Sequence, residues 1–185
     1  MSKHIAIKAA LALVVPGIAL LSLATAASAS PNGARNVSFS ASSDGASAQW
    51  SNGVGSPIDL SIGTTSGSYA LITLHHLARA SVASLTEPTF ATDNYNAGSP
   101  RYYITLSDGN TLWGYPPNSH LNGSDFAWAI NNGNTYQPWT AIQAAEGGAT
   151  VTGAFVIEDA DQGPLTGTPG TDVITGLTFG ANHYN

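Results

Sequence analysis

From Val37 onward the chain runs in short stretches that alternate apolar and small polar residues, divided by clusters of Gly, Asn, Asp, Pro and Ser. A period of two is the signature of a half-buried strand. Turn clusters between such runs favour a sandwich over a helical bundle or a βαβ fold. The clearest case is Arg101–Leu106, then Asp108-Gly109-Asn110, then Thr111–Tyr115. Asp-Gly between two alternating runs marks a hairpin. Its period puts Tyr102, Ile104 and Leu106 toward a core and Arg101, Tyr103 and Thr105 outward.

The same reading predicts further strands. Val37–Ala41 is expected to pair with 46–50 across Asp44-Gly45, and Pro57 opens a strand over 58–62. Residues 69–77 are apolar on both faces, as a central strand is. A strand over 126–130 shows Phe126, Trp128 and Ile130 on one face. Over 151–158 the period groups Val151, Gly153, Phe155 and Ile157. Over 172–179 it groups Val173, Thr175, Leu177 and Phe179 against Ile174, Gly176 and Thr178. Residues 138–146 predict the one helix, with Pro138 in the first turn and Gly147 at its end. Trp50, Trp128 and Trp139 are expected in the core. The fold class is therefore all-β: an antiparallel β-sandwich, jelly-roll-like, with one short helix.

Residues 1–29 read as a secretion signal. Lys3 and Lys8 precede an apolar run, and Ala27-Ser28-Ala29 supplies a small-x-small cleavage site. Pro16 and Gly17 interrupt that run, and it is too Ala-rich for a membrane span. The expectation is a secreted, extracellular protein whose residues 30–185 form a single domain. Such a domain has 185 − 29 = 156 residues, enough to bury roughly 68–70% of its unfolded surface. It has no cysteine, so neither disulfides nor thiol chemistry enter. Beyond the leader only Arg35, Arg79 and Arg101 carry fixed positive charge, against eleven carboxylates, giving 3 − 11 = −8. Nucleic-acid binding works by neutralising phosphates, and three scattered arginines do not supply that. The same scarcity disfavours adsorption to an anionic membrane.

The stretch EPTFATDNYNAGSPRYYITLSDGNTLWGYP, with LNGSDFAWAINNG and AFVIEDADQGP…TDVITGLTFG after it, resembles a group of secreted actinobacterial β-sandwich proteins of unassigned function. No catalytic residue carries over from that resemblance. The ending IEDADQGPLTGTPGTDVITGLTFG is similar to the last two strands of galactose-binding-like, carbohydrate-binding jelly rolls. That similarity implies a jelly roll and, with it, glycan binding.

Aromatic side chains carry the site expected from the residues themselves. Sugars bury their C–H faces on exposed Trp and Tyr, while amides and Arg bind hydroxyls. Trp113 and Tyr115 share a face of one hairpin strand, Arg101 and Tyr103 lie across from them, and Tyr95 and Asn118 come from flanking loops, with His120 beyond. The competing reading makes Trp113 and Tyr115 core residues and Tyr103 a cross-strand filler. Adjacent His75 and His76 point to opposite faces of a strand and cannot chelate one metal well. Asp159, Asp161 and Asp172, with Glu158, flank the last two strands and are the candidates for a structural calcium, the only cofactor that the sequence brings into view. No compact calcium loop, G-x-S-x-G elbow or H-E-x-x-H motif is present. The expected function is non-catalytic binding of an extracellular glycan or cell-envelope polymer. A small secreted glycosidase-like hydrolase and a self-associating structural protein are the alternatives.

Overall fold

The computed structural model describes residues 36–65, 67–77, 79–93, 100–117, 125–160 and 171–185. The leader, Tyr95, Asn118, His120 and Asp161 lie outside these residues. Eleven strands are formed: β1 (Val37–Ala41), β2 (Ser47–Trp50), β3 (Ile58–Ser61), β4 (Tyr69–Leu74), β5 (Thr89–Thr92), β6 (Arg101–Leu106), β7 (Thr111–Tyr115), β8 (Ala127–Ile130), β9 (Val151–Asp159), β10 (Thr171–Phe179) and β11 (Asn182–His183). One sheet has the order β1-β4-β9-β6-β7-β8. The other runs β11-β10-β3-β2, with β5 on the opposite side of β10. Every ladder is antiparallel. The two sheets pack face to face as an all-β sandwich.

The alternation is realised as the sequence predicts in β6 and β7. Tyr102, Ile104, Leu106 and Leu112 are buried in the core, and Tyr103, Thr105 and Trp113 lie on the outer face. The core centres on Trp128 of β8, fully buried against Tyr102, Phe126 and Trp139, with ring centroids 5.9, 6.0 and 4.7 Å away. Trp128 Nε1 donates to Glu87 Oε1 at 2.8 Å, which satisfies the one polar atom of the ring. Gly114 faces Trp128 across the β7–β8 ladder, and a Cβ there would stand 2.5 Å from the indole. Absence of a side chain at 114 is what lets the largest core residue lie flat. The helix α1 (Trp139–Glu146) follows Pro138, and Trp139 Nε1 and Gln143 Nε2 both donate to Leu85 O. These bonds clamp it on the 3₁₀ turn Val82–Ser84.

Tyr102 joins the sheets. Its hydroxyl lies 3.0 Å from the carbonyl of Thr89 and 2.6 Å from that of Thr178, on β5 and β10 of the other sheet. Burial raises the Tyr102 pKa well above that of a free phenol, so the group stays a donor.

Five expectations are corrected. First, β1 does not pair with the strand after Asp44-Gly45: β1 pairs β4, and β2 pairs β3 in the other sheet. The Asp44 carboxylate accepts from Ser42, Thr65 and Ser68, which ties the turn to the 63–68 loop and swings the chain across the sandwich. Second, β4 stops at Leu74, because His76 takes a left-handed φ of 59°. Third, a register shift between Thr105 and Leu106 against β9 turns Val151 inward, while Phe155 and Ile157 stay outside. Fourth, β10 shifts between Thr175 and Thr178, at Gly176 with φ 59°. Asp172 and Ile174 therefore share the inner face with Leu177 and Phe179. A bulge inserts one residue and reverses the phase of everything beyond it. Fifth, Trp50 is half-buried, edge-on to Phe39 at 5.5 Å, rather than enclosed.

Candidate functional site

The outer face of the six-stranded sheet carries a row of three rings. The ladders place Phe155 of β9 opposite Tyr103 of β6, and Tyr103 opposite Trp113 of β7. Their centroids are 5.8 and 4.8 Å apart, and all three side chains are half-buried. The planes are inclined by 26° and 43°, so the rings stand side by side on the sheet with much of their faces turned to one another. What such a ridge offers to solvent is ring edges and polar tips. Tyr103 Oη and Trp113 Nε1 make no hydrogen bond to protein among the described residues. Leu71 and Ile157 extend the half-buried apolar surface toward β4.

Two other expected site residues sit on this face but are enclosed. Arg101 is 1% exposed. Its guanidinium is paired with Asp159 and lies 5.4 Å from the Trp113 ring centroid, at cation–π distance. It therefore acts as an internal brace of the ridge and offers nothing to a ligand hydroxyl. Tyr115 is 7% exposed and edge-on to Tyr136 at 5.4 Å, and its hydroxyl donates to Asn132 Oδ1 at 3.0 Å. Together with Ala127 and Ala129 these rings form a small second core outside the sandwich. Burial raises the Tyr115 pKa, and Arg101 pulls it back. Tyr95 and Asn118 are outside the described residues.

Phe155 was missed by sequence reasoning. Grouping it with Val151 gave it a mixed face, and the long-range pairing that sets it beside Tyr103 has no local sign. The ion-pair partner of Arg101, Asp159, carries in the sequence only the sign of a calcium candidate.

The carboxylates of the last two strands divide between two environments. Glu158 and Asp159 are consecutive on β9, so they point to opposite faces. Asp159 is outside with Arg101. Glu158 points into the sandwich at 4% exposure and meets Asp172 of β10, 2% exposed. Burial pushes the Glu158 pKa up to about 9, and the neighbouring Asp172 carboxyl adds to the shift. Among the described residues no three His, Asp or Glu side chains converge as metal ligands, so the described members of the calcium set do not form one site. His75 Nε2 is 2.8 Å from Ser38 Oγ on the rim of the sheet, an ordinary polar contact.

A shallow cleft of about 230 Å³ lies elsewhere, lined by Ser107, Asp108, Ala145, Glu146, Gly148 and Ala149. The Asn110 amide there donates to both Asp108 and Glu146. That bond holds two carboxylates at the end of α1.

No family model matches the chain, and neither a curated protein nor a solved structure matches it.

Proposed function

We propose that this protein binds a neutral extracellular polysaccharide or cell-envelope glycan, without catalysis, along the Phe155–Tyr103–Trp113 ridge. The observation that carries the reading is the ridge itself: three aromatic rings in register on three adjacent strands, half exposed. A contiguous aromatic patch on an outer sheet face marks an interaction surface. The ligand class follows from charge. Among the described residues the only cation on the patch, Arg101, is enclosed and already paired with Asp159, so an anionic partner finds no counter-charge there. The Tyr103 hydroxyl and the Trp113 indole N–H suit sugar hydroxyls, and the part of the ring surface left exposed suits sugar C–H groups.

A glycosidase reading finds less support. Two catalytic carboxyls must flank the scissile bond about 5–10 Å apart. Glu158 and Asp172 are within hydrogen-bonding reach of one another and enclosed, which leaves no place for a sugar between them.

The test is retention on a panel of insoluble polysaccharides, wild type against Trp113→Ala and Phe155→Ala. The expected result is loss of about 1–3 kcal/mol of binding for Trp113→Ala, with the fold intact by circular dichroism. Equal retention of all three proteins overturns the reading. Dimerisation that Trp113→Ala abolishes would assign the ridge to a second copy of the chain instead.

A further inference from the structure

We propose that Glu158 and Asp172 form an acid-operated latch between the two sheets, holding one proton between their carboxyl groups and loosening that end of the sandwich when the proton is lost. The geometry carries this. Glu158 lies on the inner face of β9, in phase with Ala154 and Val156, and Asp172 lies on the inner face of β10, in phase with Ile174. They meet where the chain leaves one sheet and enters the other. Neighbouring strands set Ala70 of β4 opposite Glu158 and Leu60 of β3 opposite Asp172, both fully buried and neither titratable.

Among the described residues, the charged groups around the pair are few. Arg101 of β6 favours the ionised form of Glu158, and Asp159 of β9 opposes it. Arg101 is itself engaged with Asp159 on the other side of the sheet. Asp59 of β3 points to the outer face and accepts from Ser51. Asp93, after β5, accepts from the Val173 backbone N–H. Glu158 Oε2 has no donor among the described residues, although it is shielded from water. Two carboxylates cannot both ionise in such a place, and a proton held between them is the arrangement that like-charge neighbours adopt. The proton turns a repulsive contact into a hydrogen bond that spans the sandwich.

The sign follows from the direction of the shift. The folded state holds the Glu158 proton up to about pH 9, whereas a free glutamate releases it near 4.5. The latch contributes its full stability below the free value and loses it as pH rises through the folded one.

The experiment is thermal unfolding of the whole chain at several values between roughly pH 5 and pH 8, for wild type, Glu158→Gln and Asp172→Asn. The wild-type midpoint should fall with rising pH by up to about 2–4 °C per unit. Glu158→Gln should flatten that slope, and Asp172→Asn should reduce it, since burial of Glu158 remains. A Glu158→Gln profile parallel to wild type overturns the proposal. Infrared spectroscopy gives a second readout should a variant fail to fold. At neutral pH the wild type should show the carbonyl stretch of a protonated carboxylic acid, and its absence overturns the latch. A midpoint that rises with millimolar calcium at neutral pH assigns the pair to a cation and likewise overturns it.

Discussion

Tyr102 and Asp44 show how much of this molecule rests on single polar atoms. Tyr102 of β6 reads from its period alone as core, which it is. What the sequence does not display is that its hydroxyl reaches the carbonyls of Thr89 and Thr178 on the other sheet. Tyr102→Phe keeps the packing and deletes that donor, so that Thr178 O loses its 2.6 Å partner while Thr89 O keeps only the Thr178 hydroxyl. The expected loss is about 1–3 kcal/mol in denaturant unfolding, with an unchanged dependence on denaturant concentration. A loss near zero would show that the carbonyls find other donors. Asp44 is the counterpart at the β1–β2 corner. Its pKa is lowered from 3.8 to about 2, chiefly by the Ser42 hydroxyl and then by Thr65. Nothing in the string Ser-Ser-Asp-Gly distinguishes a turn that joins partners from one that changes sheets. The difference lies in Thr65 and Ser68, distant in sequence.

At the scale of elements, most strand positions were legible, β5 and β11 excepted, and strand partners were not. Alternation is a local property, so β6 and β7, the hairpin between them, β8 and α1 could be read directly. Pairing of β1 with β4, or of β9 with β6, depends on residues far apart in the chain. The two bulges, at Thr152 and at Gly176, had a greater effect, because each reverses which residues face inward. The buried acid pair nonetheless left a trace: Glu158 is in phase with Val156, and Asp172 with Ile174. A carboxylate in phase with core aliphatics is a better sign of burial than its charge is of exposure. The candidate site was half legible for the same reason. Trp113 and Tyr103 follow from the hairpin, while Phe155 comes from a strand whose partner no local pattern names. Gly114 tests the packing of the β7–β8 pair. A methyl group there would meet the Trp128 ring at 2.5 Å, and both the ladder and the core restrict retreat. Gly114→Ala is expected to cost about 1–3 kcal/mol by overpacking and to perturb the near-ultraviolet circular dichroism of the aromatic core. A variant as stable as wild type, with that spectrum unchanged, would mean that the indole is free to shift.

The whole molecule brings these groups together through one shared core, and its response to acid and base should show it. Two kinds of carboxyl act in opposite senses. Glu158, raised by burial and by Asp172, and Glu87, raised by burial beneath Trp128, favour the folded state more as pH falls. Asp44, lowered by its three hydroxyl donors, favours it more as pH rises above its depressed value. A lowered group holds its stabilisation above the unfolded pKa of 3.8 and gives it up as pH drops toward 2. The raised groups give up theirs as pH climbs past 4.5. Neither limb involves a disulfide, since the chain has no cysteine, so reducing agent should leave both untouched. The two limbs cross in roughly the pH 4–5 range, and the stability maximum is expected there rather than at neutrality. Melting temperatures from about pH 2.5 to 8 measure the profile. Asp44→Asn should weaken the acid limb and leave the alkaline one, and Glu158→Gln should do the reverse, the remainder of each limb staying with Asp108 and Glu87. Because Asp44 sits at the β1–β2 corner and Glu158 between β9 and β10, their effects should add. The double variant should then be flatter than either single variant, with only the slopes of Glu87 and Asp108 left. A wild-type maximum near neutral pH would refute the account for both groups together, and an acid maximum as sharp as that of the wild type after both substitutions would show that other carboxyls set it.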